Sequence, residues 1–420
     1  MKVLLIGSGG REHALAWALG ASPRVSEVLA TPGNAGIAQT ARIVAAQDDD
    51  ELLRIAAREK VDLAVIGPEA PLAAGLADRL RDEEVPTFGP GRDGARLEAS
   101  KAYAKAFMQR FGVPTAEFAT FSALDPALDH LRRVGAPIVV KDSYLAAGKG
   151  VTVADTPGQA EAALRELFAR PNAEVVLEER LVGQELSVVV LTDGTTALPL
   201  PLAQDHKQIG DGDVGPMTGG MGAVAPVSSL SDPQRERLDR EIVEPVLSGL
   251  RSEGIDYRGA LFLGVMWTAS GPKLLEINVR LGDPETQTVL PLMENDLISV
   301  LEALDQRRLH EVVPVWRPGA AATVVVAAPG YPGAYPKDLP VGVPEGREAD
   351  TWVFHAGTRR NESGRLVSSG GRILAVTAVD ADVPSAAAKA YREVARIDVP
   401  GGVSRRDIGG RPTAGGGTHG

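Results

Sequence analysis

Two stretches of the chain carry residue types at spacings that suit polyphosphate. In PIVVKDSYLAAGKGV (Pro137–Val151), the apolar run Ile138–Val140 reads as a strand covered on both faces, and Lys141 stands where that strand emerges. From Ala146 to Gly150, Lys149 is the one large side chain. Backbone N–H groups can therefore close on an anion, and the glycines can aim them as a nest. An ordinary turn with a solvated lysine is the competing reading. The stretch is not a P-loop, which would need glycine in place of Ser143 and serine or threonine in place of Gly150.

The second stretch is LLEINVRLGDPETQ (Leu274–Gln287). Strand alternation predicts Glu276, Asn278 and Arg280 on one face and Leu275, Ile277 and Val279 on the other. A carboxylate and a carboxamide oxygen two residues apart suit Mg²⁺, which takes one or two protein oxygens and completes its shell with phosphate and water. Arg280 can grip a phosphate or carboxylate with both arms. A half-exposed polar strand face would look similar. Paired with a lysine loop, though, the pattern fits phosphoryl transfer, which needs lysines, a metal bridge and positioning.

A third glycine cluster, Gly7-Ser8-Gly9-Gly10-Arg11-Glu12, follows one strand and opens a helix. The carboxylate of Glu12 opposes pyrophosphate, and no acid closes the second strand at Ala30-Thr31, so a dinucleotide site is disfavoured. Free N–H groups at the helix start, with Arg11 nearby, would suit a single phosphate monoester. A tight turn needed only for packing is the alternative.

The elements that must position these residues follow from pattern. KVLLIG (Lys2–Gly7), Val28–Ala30 and LAVIG (Leu63–Gly67) are strand-like runs separated by helical stretches at His13–Leu19 and Asp49–Lys60, which predicts a parallel α/β layer. Ser100 reads as the cap of a helix over Lys101–Phe111, ended by Gly112 and Pro114. A strand is expected over Val175–Gly183, and the Gly/Pro/Asp-rich Gln204–Pro226 reads as a long functional loop. A helix over Pro233–Leu250, strands at Ala260–Trp267 and Lys273–Asn278, and a helix from about Glu294 come next. From Trp316 the texture becomes a smaller α+β unit with no catalytic constellation, and GGRPTAGGGTHG at the end reads as a flexible tail.

Composition narrows the class. With 420 residues and about 150 per domain, two to four domains are expected. The absence of cysteine excludes disulfides, thiolate metal sites and cysteine nucleophiles, and fits a reducing cytoplasm. The first apolar run is too short for a signal peptide, and no segment approaches the roughly 18 apolar residues of a membrane span. A net charge of −11 speaks against a nucleic-acid surface.

Taken together, GSGGREHALAWAL, TPGNAG, VIGPEAPLAAGLAD, LEASKAYAKAFM, LAAGKGV, LEERLVGQELSV, QDHKQIGDGDVGPMTGGMGA and EINVRLGDPETQTVLPLM resemble the phosphoribosylamine–glycine ligases, ATP-grasp enzymes of purine biosynthesis. The resemblance covers roughly residues 1–410. LAAGKGV and EINVR are shared with other ATP-grasp ligases, whereas the QDHK and RLGDPETQ blocks are more specific.

It implies an ATP-grasp fold with an N-terminal Rossmann-like domain (1–100), an ATP-grasp domain (101–315, lid about 115–190), a small C-terminal α+β domain (316–402) and a tail (403–420). It also implies ATP and Mg²⁺ or Mn²⁺, with glycine and 5-phosphoribosylamine as the other substrates of a monomeric cytoplasmic chain. Lys101 and Lys141 would meet the ATP phosphates, with Ala147, Gly148, Lys149 and Gly150 in the covering loop. Glu178, Glu179 and Leu181 would border adenine, Glu185 the ribose, and Glu276 and Asn278 would hold the metal. Gly9, Gly10, Arg11, Glu12 and Asn34 fall in motifs of the phosphoribosylamine pocket. Asp205, His206, Gly219, Gly220, Met221, Arg280 and Asp283 would line the acceptor side, with Arg280, Asp283 and His206 as candidate catalytic groups. Where the family usually reads KADGLAAGKGV, this chain has Ser143-Tyr144 in place of Asp-Gly, which puts the loop geometry in question.

The implied chemistry activates glycine as an acyl phosphate, which the amine then displaces; no Ser-His-Asp set is needed. A different ATP-grasp ligase is disfavoured by the QDHK and GDPETQ blocks. A non-catalytic nucleotide binder would be expected to lose Lys141, Glu276 or Asn278, all of which are present.

Overall fold

The computed structural model describes residues 1–145 and 150–410. The amino-terminal layer is a five-stranded parallel sheet in which Lys2–Gly7 lies between Glu27–Pro32 and Leu63–Ile66, with Arg42–Ile43 and Thr87–Phe88 at the edges. Val3 to Ile6 and Leu63 to Ile66 are apolar and buried throughout, as covering on both faces requires. Helix Asp49–Glu59 starts on Asp48, whose side chain accepts from Glu51 N, and stops at Lys60 in the left-handed region. Helix Lys101–Arg110 starts on Ser100, whose Oγ accepts from Tyr103 N.

The lid is an antiparallel sheet ordered Phe118–Phe121, Val175–Glu179, Ile138–Asp142, Val151–Ala154. Helices Leu124–Val134 and Pro157–Phe168 pack on it, and Leu128, Val140, Leu164 and Leu177 give it a core of its own. The strand expected to run to Gly183 ends at Glu179. Residues 180–183 carry the chain into strand Gln184–Thr192 of a second antiparallel sheet. Only glycine fits at 183, because a Cβ would lie 2.1 Å from Trp267 O.

That second sheet is ordered Ala197–Pro199, Gln184–Thr192, Gly259–Thr268, Gly271–Asn278. It shares one continuous core with the amino-terminal layer, including Leu4, Ile66, Phe107, Leu261 and Ile277. The alternation expected along its last strand is offset. Gly264 pairs with Glu276 and Val265 with Leu274, so Leu275 is an extra residue at a bulge. Leu274, not Leu275, joins Ile277 and Val279 in the core.

Gln204–Pro226 is not the loop its composition predicts. It folds as strands Gln204–Asp205, Gln208–Gly210, Val214–Met217 and Gly222–Ala225, each too short to show a period of two. The first and last of these join Ala320–Ala327, Arg372–Asp380 and Thr351–His355 in one sheet, which therefore crosses the boundary expected at 315. The tail expected from 403 is also folded as far as Gly410. Val403 pairs with Ala327, Arg405 is completely buried and Ile408 enters the core. Among the described residues no helix is long and apolar enough to cross a membrane.

Candidate active site

Lys141 lies on the lid strand Ile138–Asp142, with Nζ 3.0 Å from Glu178 Oε2 and 3.3 Å from Leu275 O. The bulge at Leu275 supplies that carbonyl. Lys105 Nζ also lies 3.0 Å from Glu178 Oε2 and donates to Thr115 Oγ1 at 2.7 Å. The side chain of Glu178 is thus buried between two ammonium groups. Burial brings Lys105 down to about 8, against the pull of Glu178, and burial likewise lowers Lys101. Lys101 Nζ donates to Tyr144 O at 3.1 Å.

The backbone of Glu178 is already paired with strands on both sides, and Glu179 N–H donates to Glu117 O. Strand pairing thus takes up the Glu178 backbone and the Glu179 N–H. Glu179 faces Lys273 at 3.3 Å, and Leu181 is half-buried in the crossing segment. Gly150 O accepts from Asp142 N at 2.7 Å. Ala147, Gly148 and Lys149 lie outside the described residues.

On the facing sheet, Asn278 Nδ2 donates to Glu276 Oε1 at 3.2 Å, so the two oxygen-bearing groups are neighbours. Lys207 Nζ lies 2.5 Å from Glu185 Oε1 and 3.7 Å from Glu276 Oε1. Burial works to raise Glu276, but Lys207, Lys141, the Asn278 hydrogen bond and Lys101 outweigh it and bring the carboxyl down to about 2. Among the described residues no cluster of three or more carboxylate or imidazole groups could hold a metal alone. Glu276 and Asn278 instead fit an ion that takes the rest of its ligands from phosphates and water.

The acceptor wall differs from expectation in several places. Arg280 lies 3.1 Å from Glu98 and 3.7 Å from Glu69, so its charge is balanced inside the protein, while its Nε is buried without a hydrogen-bond partner. Arg11 donates to Glu12 Oε1 at 2.6 Å and Leu281 O at 3.0 Å. The Gly9 and Arg11 N–H groups point to Glu12 Oε2 (2.6 Å) and Asp283 Oδ2 (3.3 Å). Carboxylates thus occupy N–H groups expected to be open to a phosphate. Asn34 Nδ2 donates to Ser8 O and His355 O, both at 2.8 Å, while Oδ1 accepts from Gly36 N and Ile37 N; its side chain is committed to the fold. Gly10 leaves room for the Gln287 amide, which a Cβ would meet at 2.5 Å.

Met221 is wholly buried in the core. His206 is buried with Nδ1 unpartnered. Burial, then Arg405, lowers it to about 4 against Asp213 and Asp407. Asp205 Oδ1 is buried without a partner. Burial, then Glu285, raises its carboxyl well above the ordinary range. Gly220, at φ +106, clears this site: a Cβ there would lie 2.8 Å from Asp205 Oδ1. Asp283 accepts from Gln287 Nε2 at 2.7 Å. Burial works against ionisation, but Arg372, Arg11 and Gln287 hold its carboxyl below the usual range.

Comparison with known proteins decides the family. The N domain of phosphoribosylglycinamide synthetase matches residues 1–98, its ATP-grasp (A) domain 99–286 and its C domain 321–411. The chain belongs to the phosphoribosylglycinamide synthetase family. It is 49% identical to a phosphoribosylamine–glycine ligase of Agrobacterium fabrum over 97% of this chain and 98% of that one. It is 47% identical to the ligase of that name from Nostoc sp., over 98% and 99%. The crystal structure of phosphoribosylamine–glycine ligase from Thermotoga maritima superposes with a TM-score of 0.84 at 33% identity, covering 97% of this chain and all of that one. A biotin carboxylase domain from Hydrogenobacter thermophilus, at 16% identity and TM-score 0.73 (96% and 91% covered), shares the fold.

Within this phosphoribosylglycinamide synthetase chain, sequence reasoning passed over Lys105, Lys207, Glu98, Glu285, Gln287 and Arg372. Lys105 stands four residues after Lys101, one helical turn on, a spacing that could have flagged it. Lys207 follows His206 in the QDHK block. Arg372 carried no local signal, because its partners are 89 and 153 positions away.

Proposed function

We propose that the chain joins glycine to 5-phosphoribosylamine at the expense of ATP, giving glycinamide ribonucleotide, ADP and phosphate. The observation that carries this is Lys207, which links the ATP-side carboxylates Glu185 and Glu276 to the acceptor side through its field on Asp205. One cleft thus serves phosphate and acceptor together.

In this reading Lys101, Lys141 and the Ala147–Gly150 segment hold the triphosphate. Glu179 and Leu181 border adenine and Glu185 the ribose, while Glu178 holds the Lys141 and Lys105 ammonium groups in place. Glu276 and Asn278 would hold Mg²⁺ or Mn²⁺, which would supply Lewis-acid neutralisation of the negative charge on the transferring phosphate. A glycine carboxylate oxygen attacks the γ-phosphorus; an O–P bond forms, the bridge to the β-phosphate breaks, and ADP leaves. The amine nitrogen of phosphoribosylamine then attacks the acyl carbon. A C–N bond forms, the C–O bond to phosphate breaks with its electron pair leaving on phosphate, and the amine gives up a proton. Asp205, Gly219, Gly220 and Asp283 shape the acceptor side, with Gly9–Glu12 and Asn34 supporting it from the amino-terminal layer.

The test is ADP release with each substrate omitted in turn. Release should require ATP, glycine, phosphoribosylamine and a divalent ion for full turnover. Release indifferent to glycine would sink the reading.

A further inference from the structure

We infer that Arg372, from the carboxy-terminal sheet, binds the 5-phosphate of phosphoribosylamine; the inference rests on the ligase reading above. Arg372 opens the strand Arg372–Asp380, and its side chain reaches back to the acceptor wall. One nitrogen makes all of its protein contacts. Nη1 lies 2.5 Å from Gly219 O, 3.3 Å from Gly220 O, 2.8 Å from Asp283 O and 3.3 Å from Asp283 Oδ1. Among the described residues Nε and Nη2 have no acceptor, and the side chain keeps 21% of its surface open. That edge of a guanidinium is a planar double donor, the geometry that matches two oxygens of a phosphate monoester.

Gly219 keeps the edge clear. A Cβ there would come within 3.1 Å of Cζ, 3.2 Å of Nη2 and 3.5 Å of Nε, so any side chain would crowd the open face. The other guanidinium groups on this wall are turned to protein partners, Arg11 to Glu12 and Leu281 and Arg280 to Glu98 and Glu69.

The reaction brings three anions into the cleft. Two of them, the ATP triphosphate and the glycine carboxylate, must meet beside Lys141 and Glu276 for phosphorus transfer to occur. Arg372 belongs to a different neighbourhood: the groups acting on it are Asp283, Tyr331, Asp205 and Glu285, whereas Glu276 is governed by Lys207, Lys141 and Lys101. The anion left for Arg372 is the 5-phosphate. Because Nη1 also pins three carbonyls of the Gly219–Gly220 turn and Asp283, binding there would align the wall that presents the amine.

The stable probes are ribose 5-phosphate and ribose, measured by calorimetry on the full chain with ATP affinity as the control for folding. Wild type should bind ribose 5-phosphate at least about tenfold more tightly than ribose, as hydrogen bonds to a charged group require. Arg372→Gln should erase that preference and raise the KM for phosphoribosylamine by a similar factor, leaving ATP affinity and the KM for glycine within about twofold. Arg372→Lys keeps one charge without the fork, should fall between the two, and decides the matter if the glutamine variant loses ATP binding. Ribose 5-phosphate binding unchanged in both variants, or a defect in glycine KM instead, overturns the inference while the ligase reading stands. Wild type that ignores ribose 5-phosphate and phosphoribosylamine alike overturns both.

Discussion

The lid and the acceptor wall are held by opposite means. The lid keeps its own core around Leu128, Val140, Leu164 and Leu177. It meets the rest of the chain through polar links such as Lys141 Nζ to Leu275 O, Lys273 to Glu179, and Ser100 Oγ against Ser143 Oγ. The acceptor wall shares its core with its neighbours, Met221 lying in one cluster with Val325 and Phe354, and it is tied from several sides. Arg11 reaches Leu281 O from the amino-terminal layer, and Asn34 reaches His355 O. Arg372 reaches Gly219 O, and Arg405 reaches Gln208 O and Asp213. The difference assigns the motion. A body with a private core and polar seams can move as a unit over ATP, while a wall stitched across three sheets is a fixed template against which glycine and amine are aligned.

The largest effect should come where the two regions meet. Glu276→Ala removes an oxygen donor from the metal site and a partner of Lys207, and should lower kcat on the order of 10²–10³-fold while raising the Mg²⁺ concentration needed for half-maximal rate. Asn278→Ala should act in the same direction with a smaller drop. Wild-type Mg²⁺ dependence in either variant refutes the metal role.

Next come paired cuts inside each region. Leu164→Ala empties a fully buried position of the lid core and should cost about 3 kcal/mol, felt locally. Faster hydrogen exchange should be confined to residues 118–179, and the KM for ATP should rise with that for glycine unchanged. Arg405→Ala leaves Asp407, which accepts twice from the guanidinium at 2.8 and 2.7 Å, and Asp213, at 2.7 Å, without their cation. It should cost about 2 kcal/mol and raise the KM for glycine or phosphoribosylamine while sparing ATP affinity. Crossed effects, with lid damage felt at the acceptor or the reverse, would erase the division between the two regions.

Acid should also separate them. His355 N donates to His13 Nδ1 at 2.7 Å across the seam between the amino-terminal and carboxy-terminal units. Burial, then His355 and Arg347, brings His13 down to about 3; burial, then Arg347 and Arg360, brings His355 down to about 4. The unfolded chain takes up protons near 6.5, the native one only at about 3 to 4. Stability is therefore fully present above about pH 6.5 and is lost as pH falls through that window. Melting curves from pH 7 to 4 should show that loss, and His13→Gln should flatten it. An unchanged slope in the variant would remove these histidines from the account.

What could be read in the sequence was local. The apolar runs at Val3–Ile6 and Ile138–Val140, the Ser100 cap and the side-by-side placement of Glu276 and Asn278 follow from period and capping chemistry, which neighbours along the chain decide. The misreadings arose where distant partners decide. Leu275 becomes a bulge because strand Gly259–Thr268 pairs past it. Part of the glycine-rich 204–226 segment becomes strand because Ala320–Ala327 offers Gly222–Ala225 an edge. Arg405 belongs to no tail because Asp213, nearly two hundred positions away, neutralises it. Arg11 and Arg280 looked free for substrate because Glu12, Glu98 and Glu69 could not be placed beside them without the fold.

The smallest expected effect tests the seam itself, at the residues where this chain departs from the ligase pattern. Ser143 is fully buried. Its Oγ donates to Glu174 Oε2 at 2.7 Å and accepts from Ala102 N at 3.1 Å, and its carbonyl accepts from Lys101 N at 2.7 Å. The side chain thus ties the lead-in of the phosphate loop to the first turn of the Lys101 helix, a contact that glycine cannot make. Ser143→Gly should remove about 1 kcal/mol of stability and change the KM for ATP by only a few-fold, because the backbone contacts from Lys101 N and Ser143 N survive. If the lid is a separate body, loosening this tie should speed hydrogen exchange at Ala102 and Tyr103 and leave the acceptor-side KM values alone. A glycine variant that shifts the KM for phosphoribosylamine as much as that for ATP would mean that the lid and the wall move as one piece.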